Sequence, residues 1–510
     1  MATTTLTNPV IWADVPDIDV IRVADTFYMV STSMHTVPGC PIMRSRDLKH
    51  WELVSYVFAI IADNDEQNLR NGKNIYGKGS WAASLRYHND AFYVCFSCND
   101  TDKFYVYQTK DIASSNWSRS IIDGLHHDPA LLFDDDRVYV IYGVGDIRIQ
   151  ELTADATAVK PGGVDQLLLS TKKEGLRLRC EGGHAYKIDG RYYLLFIEWT
   201  SVGNQRRRQV CYRADALLGE YERQVIFDDD MGYHNKGIAQ GAIFDTPNDQ
   251  WYAMLFQDHD AVGRIPYILP VSWQDGWPMI GVDGKAPAVL EVDLPPSEPG
   301  TPLVVSDDFE SLDGTLKLNW QWNHNPDHAS WSLQERPGYL RLRTGSTTDT
   351  VLQARNTLTQ RTEGPACVGE TKLDVSALRP GDYAGLIALQ SHFGTVGVRA
   401  ASDGSLWLEM CINDGTGGEK TTDRARLEAD EVLLRIVFNF EDSIDEADFF
   451  YSLDGITWLS IGDTLQMKYT LDHFMGYRVG LFCYASRVSG GNADFAYFGY
   501  RKLSDIEELL

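Results

Sequence analysis

The sequence predicts an all-β protein, a five-bladed β-propeller over residues 1–290 followed by a β-sandwich over residues 307–510. Three observations carry this reading. A strand pattern with a paired aromatic recurs five times in the first part of the chain, helix-period stretches longer than about ten residues are nearly absent, and a proline-rich stretch precedes a second run of short strands.

The five copies are VADTFYMVS, YHNDAFYVCFS, FDDDRVYVIYG, YKIDGRYYLLF and FDTPNDQWYAMLF. Most open on a turn rich in Asp, Asn or Gly and continue into alternating apolar residues, the period-two mark of a packed strand. Taking Tyr28, Tyr93, Tyr139, Tyr193 and Tyr252 as equivalent, the intervals are 65, 46, 54 and 59 residues, each long enough for a four-stranded blade and its loops. Further strands ending in polar turns follow, as in PIMRSRDLKHW, FYVYQTKDIASSNW, IRIQELTAD and RRQVCYRADALLGEY. They supply the outer hairpin of a blade.

The stretch KAPAVLEVDLPPSEPGTP holds Pro287, Pro295, Pro296, Pro299 and Pro302. Proline cannot donate to a ladder, so an extended linker over residues 291–306 is expected. From Asp307 onward, turns such as RPGD, SDGS, NDGTGG and SLDGIT punctuate short strands in the manner of one sandwich domain.

With 72 acidic against 46 basic residues, the chain carries a formal charge of −26, a field that repels phosphate backbones. Nucleic acid and anionic membrane surfaces are therefore excluded as expected partners. The start MATTTLTNPV has neither the basic stretch nor the apolar run of a secretion signal, so a cytoplasmic protein is expected. Eight scattered cysteines fit reduced thiols. Cys95 and Cys98 fall on opposite faces of a strand with no second pair nearby, and read as buried apolar residues rather than a metal motif.

A propeller gathers the first strands of its blades around one axis, so residues distant in sequence meet there. Asp17, Asp128 and Glu181 precede the aromatic of their blades by 11, 11 and 12 residues, which puts all three at the axis mouth if the repeat is right. The bland alternative is that they are solvated loop acids. Asp14 and Asp19 compete with Asp17, and spacing to the aromatic strand favours Asp17.

Asn8-Pro9, VPDIDVIRVADTFYMVSTSM, the WAASLRYH that starts at Trp81, HDPALLFDDDRVYVIYG, CEGGHAYKIDGRYYLL and GRIPYILPVSWQDGWP resemble glycoside hydrolase family 43. DDFESLDG, WQWNHNPD, WSLQERPGYLRL and FYYSLDGITW resemble the concanavalin-like sandwich appended to many β-xylosidases of that family. The resemblance implies an inverting, exo-acting enzyme on xylo- or arabino-oligosaccharides. It places Asp17 at the general base, Asp128 at the residue that tunes the acid, and Glu181 at the general acid, kept protonated by the neighbouring Asp128 charge. It further implies that Trp81 lines the sugar pocket and Arg264 contacts the sugar. Plain packing for Trp81 and a structural ion pair for Arg264 are the alternatives.

Gln240, counted with Trp81 and Arg264 as substrate-binding, stands where many members carry a histidine near a calcium ion or water. No cofactor is required by the resemblance; calcium is an open expectation there, with Gln240 or His259 as a ligand. A homo-oligomer is compatible with it. The leading expectation is a β-xylosidase, with an α-L-arabinofuranosidase second and a sugar-binding protein without catalysis third. Trp320, Trp322 and Trp331 read as packing at a domain contact, or alternatively as a sugar platform.

Overall fold

The computed structural model describes residues 3–416 and 418–504. Gly417 of the NDGTGG turn and the expected end of the sandwich at residues 505–510 lie outside the described residues. Five four-stranded antiparallel sheets make the propeller. Their first strands are Asp19–Val23, Ser80–His88, Ala130–Asp134, Leu176–Ile188 and Ala239–Asp245, and each pairs with the aromatic strand that follows it.

All five repeat tyrosines fall on the second strand of their blade. The aromatic pairs explain why: in the period-two pattern, neighbouring rings point to opposite faces of a blade, so both faces bury large apolar side chains against adjacent blades. Phe27, Tyr252 and Phe244 meet between blades five and one, while Tyr139, Tyr192 and Phe196 fill the space between blades three and four. Each such burial contributes on the order of 2 kcal/mol.

The ring is tied shut by the segment that carries Asn8-Pro9. Asn8 donates through Nδ2 to the Ile268 and Pro287 carbonyls and accepts from the Ile268 N–H, while the Asn8 N–H reaches Ala288. Thr4–Thr7 then pairs with Val289–Val292, a strand that crosses the expected domain end at residue 290.

The sandwich consists of two eight-stranded sheets. One of them borrows a strand from the propeller, because Thr36–Val37 of blade one pairs with Gln321–Asn323. Trp322 lies in that seam, buried and 5.2 Å from Trp331, and Trp320 is buried with its Nε1 on Asp307. Those two tryptophans are packing residues. The eight cysteines are all free and buried, Cys95 and Cys98 among them.

Two sandwich loops reach the propeller's upper face. Asp14 binds both domains at once, its Oδ1 accepting from the Arg264 N–H at 2.8 Å and its Oδ2 from the Gly476 N–H at 2.9 Å. The Tyr477 N–H donates to Ala261, and Asp445 accepts from the Ala261 N–H. These contacts fix the 469–476 loop over the axis.

Candidate active site

A cavity of about 730 Å³ opens at that face and is lined by Asp17, Trp81, His127, Asp128, Glu181, Gln240 and Arg264. All six site residues expected from the sequence therefore share one pocket with a seventh, His127. Asp14 and Asp19 do not line it: Asp14 joins the domains, and Asp19 is fully buried on Arg86, Ser84 and the Leu85 N–H.

Local backbone aims the acids. Asp17 and Asp128 adopt left-handed φ values of 52° and 46° just before their strands, and Gln240 has 66°. Non-glycine residues in that region are uncommon, and three facing one pocket is a concentration of strain at a site of chemistry. Glu181 is positioned differently from the expectation of a strand entry. It stands inside the long Leu176–Ile188 strand at an irregularity in register, which turns it into the pocket. Gly182 follows with φ of 64°, and a Cβ there would come 2.6 Å from the Gln240 amide carbon, so only glycine fits.

Asp17 is held on one oxygen. Arg264 Nη1 and Gln240 Nε2 both donate to Oδ1 at 2.9 Å, which leaves Oδ2 for a water molecule. Burial pushes the carboxyl up to about 6, Arg264 opposes the rise, and the charges of Asp128, Asp14 and Glu181 add to it. That value lies in the range of a base working near neutrality.

Asp128 accepts from the Gly182 N–H at 2.7 Å. Burial alone would raise it, but the His127 charge and hydrogen bond, with that N–H, hold it below the usual carboxylate range. His127 places Nε2 3.3 Å from Asp128 Oδ2 and 3.3 Å from Glu181 Oε2. The expectation of a bare Asp128 charge acting on Glu181 is thus revised, since an imidazole stands between them. His127 adjoins Asp128 in LHHDP, and a titratable group beside a candidate acid is the signal that marks it.

Trp81 lines the pocket with its Nε1 on the Gly77 carbonyl at 3.1 Å and its ring 5.7 Å from both His127 and Phe474. Arg264 is paired to Asp17 and also donates to the Phe474 carbonyl, with its guanidinium 4.7 Å from the Phe474 ring. It is the counterion of the base, whatever it does to sugar. Tyr469, Leu471 and Phe474 of the sandwich roof the cavity, and the Arg207–Asp258 and Lys236–Asp260 pairs form its outer wall. No sequence signal singled these out.

The surroundings of Gln240 do not fit calcium. Its amide nitrogen is on Asp17, its N–H on Gln209, and the cation Arg264 shares the same carboxylate, whereas calcium takes roughly six to eight oxygen ligands. His259 lies outside the pocket lining, buried on Gln257 and Tyr267 and stacked on Tyr233. His127, Asp128 and Glu181 bring one ring nitrogen and two oxygens within 4.8 Å of one another. Hydrogen bonds through one imidazole already join these atoms, and we read them as acid–base machinery.

A buried base and a second acid on another blade, in a pocket roofed by another domain, fit the two-carboxylate chemistry of glycoside hydrolases. The comparisons agree. Residues 6–278 match the sequence pattern of glycosyl hydrolases family 43, and residues 306–501 that of the beta xylosidase C-terminal concanavalin A-like domain. The chain belongs to glycosyl hydrolases family 43. It is 29% identical to a beta-xylosidase of Formosa agariphila over 97% of this chain and 90% of that protein. It is 26% identical to a non-reducing end alpha-L-arabinofuranosidase of Bacteroides ovatus over 99% of this chain and 96% of the other. A solved bifunctional GH43-CE protein of Bacteroides eggerthii superposes with a TM-score of 0.92 at 44% identity, covering 99% of this chain but 64% of that one. The chain thus spans less than two thirds of that longer protein.

Proposed function

We propose that the protein is an inverting exo-glycosidase that releases terminal xylose from β-1,4-xylo-oligosaccharides and accepts terminal α-L-arabinofuranose in the same pocket. The observation that carries this reading is the division of labour in one cavity between Asp17, buried on Arg264 and Gln240 with one oxygen left over, and Glu181 on a different blade. Support for the sugars comes from the relatives named for xylosidase and arabinofuranosidase activity.

Asp17 Oδ2 takes a proton from water as that water attacks the anomeric carbon. Glu181 gives its proton to the glycosidic oxygen, and the electron pair of the breaking C–O bond goes to that oxygen. Trp81 offers a flat apolar face to the sugar ring, and the 469–474 roof limits the depth available to a chain end.

The test is hydrolysis of aryl β-xylosides and aryl α-L-arabinofuranosides by wild type, Asp17→Asn and Glu181→Gln. Loss of xyloside hydrolysis in both variants is expected. Full activity in both would reject the reading, and activity on the arabinofuranoside alone would leave only the second sugar.

A further inference from the structure

We propose that His127 and Glu181 hold the acid proton in common, the imidazole Nε2 acting as the positioning group and proton store for the general acid. The inference rests on the reading of Glu181 as that acid and goes one step beyond it.

The geometry assigns this role to one atom. Nε2 lies at the same 3.3 Å from Glu181 Oε2 and Asp128 Oδ2, with hydrogen-bond geometry toward Glu181 and ion-pair reach of Asp128. When the shared proton is on Oε2, Nε2 accepts; when it rests on Nε2, Nε2–H donates to the Glu181 carboxylate. Neither state needs a heavy atom to move. The ring is held from outside by Trp81 at 5.7 Å, edge to face, and the backbone by the Gly143 N–H on the His127 carbonyl at 2.9 Å.

The charges around the ring favour a proton on it. Asp128 lies on its own loop and Glu181 on blade four, while Asp17 from blade one is neutralised by Arg264 from blade five. His184 stands near Asp128, and the Arg207–Asp258 and Lys236–Asp260 pairs at the outer wall each balance internally. Two carboxylates thus face one imidazole. Burial works against the imidazolium, but Asp128 and Glu181 outweigh it and push His127 up to about 10.

Catalysis uses the arrangement as follows. Glu181 loses its proton to the leaving oxygen as the C–O bond breaks, while Asp17 gains one from the attacking water. The new charge on Glu181 then sits beside the anionic Asp128. A proton taken from solvent onto Nε2 offsets it, and its passage to Oε2 restores the acid while Asp17 releases its own to water. No net proton is gained or lost per turnover.

Below the titration of the shared proton the acid remains loaded, so the alkaline limb of kcat/KM belongs to the pair rather than to a lone carboxyl. Without the imidazole, Glu181 must hold the proton alone. The alkaline limb of His127→Phe and His127→Asn should then fall by at least about one pH unit on a phenyl xyloside, whose leaving group needs protonation. On a dinitrophenyl xyloside, which does not need it, the same substitutions should leave the alkaline side of the profile unchanged.

A limb that is unmoved or moves upward on the phenyl xyloside would overturn the proposal, as would activity lost on chelation, which would put a cation in the cluster. Should both variants misfold, ¹⁵N-histidine NMR of wild type and Glu181→Gln decides. The His127 titration is expected to shift between them, and an identical titration overturns the shared proton. Full activity of Glu181→Gln on the phenyl xyloside would instead reject Glu181 as the acid. An inactive Glu181→Gln beside unshifted His127 variants rejects only the present inference.

Discussion

Arg264 donates from Nη1 to Oδ1 of Asp17 at 2.9 Å, with both side chains buried. The pair spans the junction between blade five and blade one, and the pocket's base depends on it. Without the cation, burial and three neighbouring acids would act on Asp17 unopposed.

The first prediction concerns pH. A general base works ionised, so the activity due to Asp17 is present above about pH 6 and is lost as pH falls through that value. Arg264→Gln removes the group that restrains the rise. Its acid limb of kcat/KM should move upward by about one pH unit, with a lower maximum. An unmoved limb would assign it to another group.

Glu181→Gln keeps the shape and removes the proton. Hydrolysis of a poor leaving group should fall roughly 10²- to 10⁴-fold, and that of a dinitrophenyl leaving group much less. Equal losses on both would point to a displaced pocket instead.

Phe474 enters from the sandwich and touches both Trp81 and Arg264. Phe474→Ala should raise KM for short oligosaccharides several-fold with a smaller change in kcat, as expected of a cavity wall that meets the sugar equally in ground and transition states. A pure kcat effect would mean that the ring acts through Arg264.

Gly476→Ala tests the domain contact by sterics alone. Its Cβ would lie 2.2 Å from the Val262 carbonyl oxygen, so the loop must withdraw from blade five. Thermal melting should fall by several degrees, as overpacking typically costs about 1–3 kcal/mol, and KM should rise with the lifted roof. Asp14→Ala, which frees the Arg264 and Gly476 N–H groups, is expected to lower melting in the same direction.

The repeat was legible because it is local: each blade repeats an aromatic strand, and the tyrosines at 28, 93, 139, 193 and 252 mark it without reference to the rest of the chain. The spacing of Asp17 and Asp128 to those tyrosines followed from the same register. Glu181 obeyed the spacing for a different local reason, a register irregularity inside a strand. Phe474 was illegible, since it reaches Arg264 across 210 residues of sequence and two domains. Thr36–Val37 was missed for the same reason. Two residues too short to show a pattern complete the sheet of another domain. His127 could be seen but not interpreted, because its role depends on Glu181 arriving from the next blade.

The stereochemistry of the first product tests the account most directly. Hydrolysis of an aryl β-xyloside followed by ¹H NMR from the first minutes should show α-xylose appearing before mutarotation, as required when water activated by Asp17 attacks opposite the bond protonated by Glu181. β-Xylose as the first product would mean a covalent intermediate and would contradict the roles given to both residues.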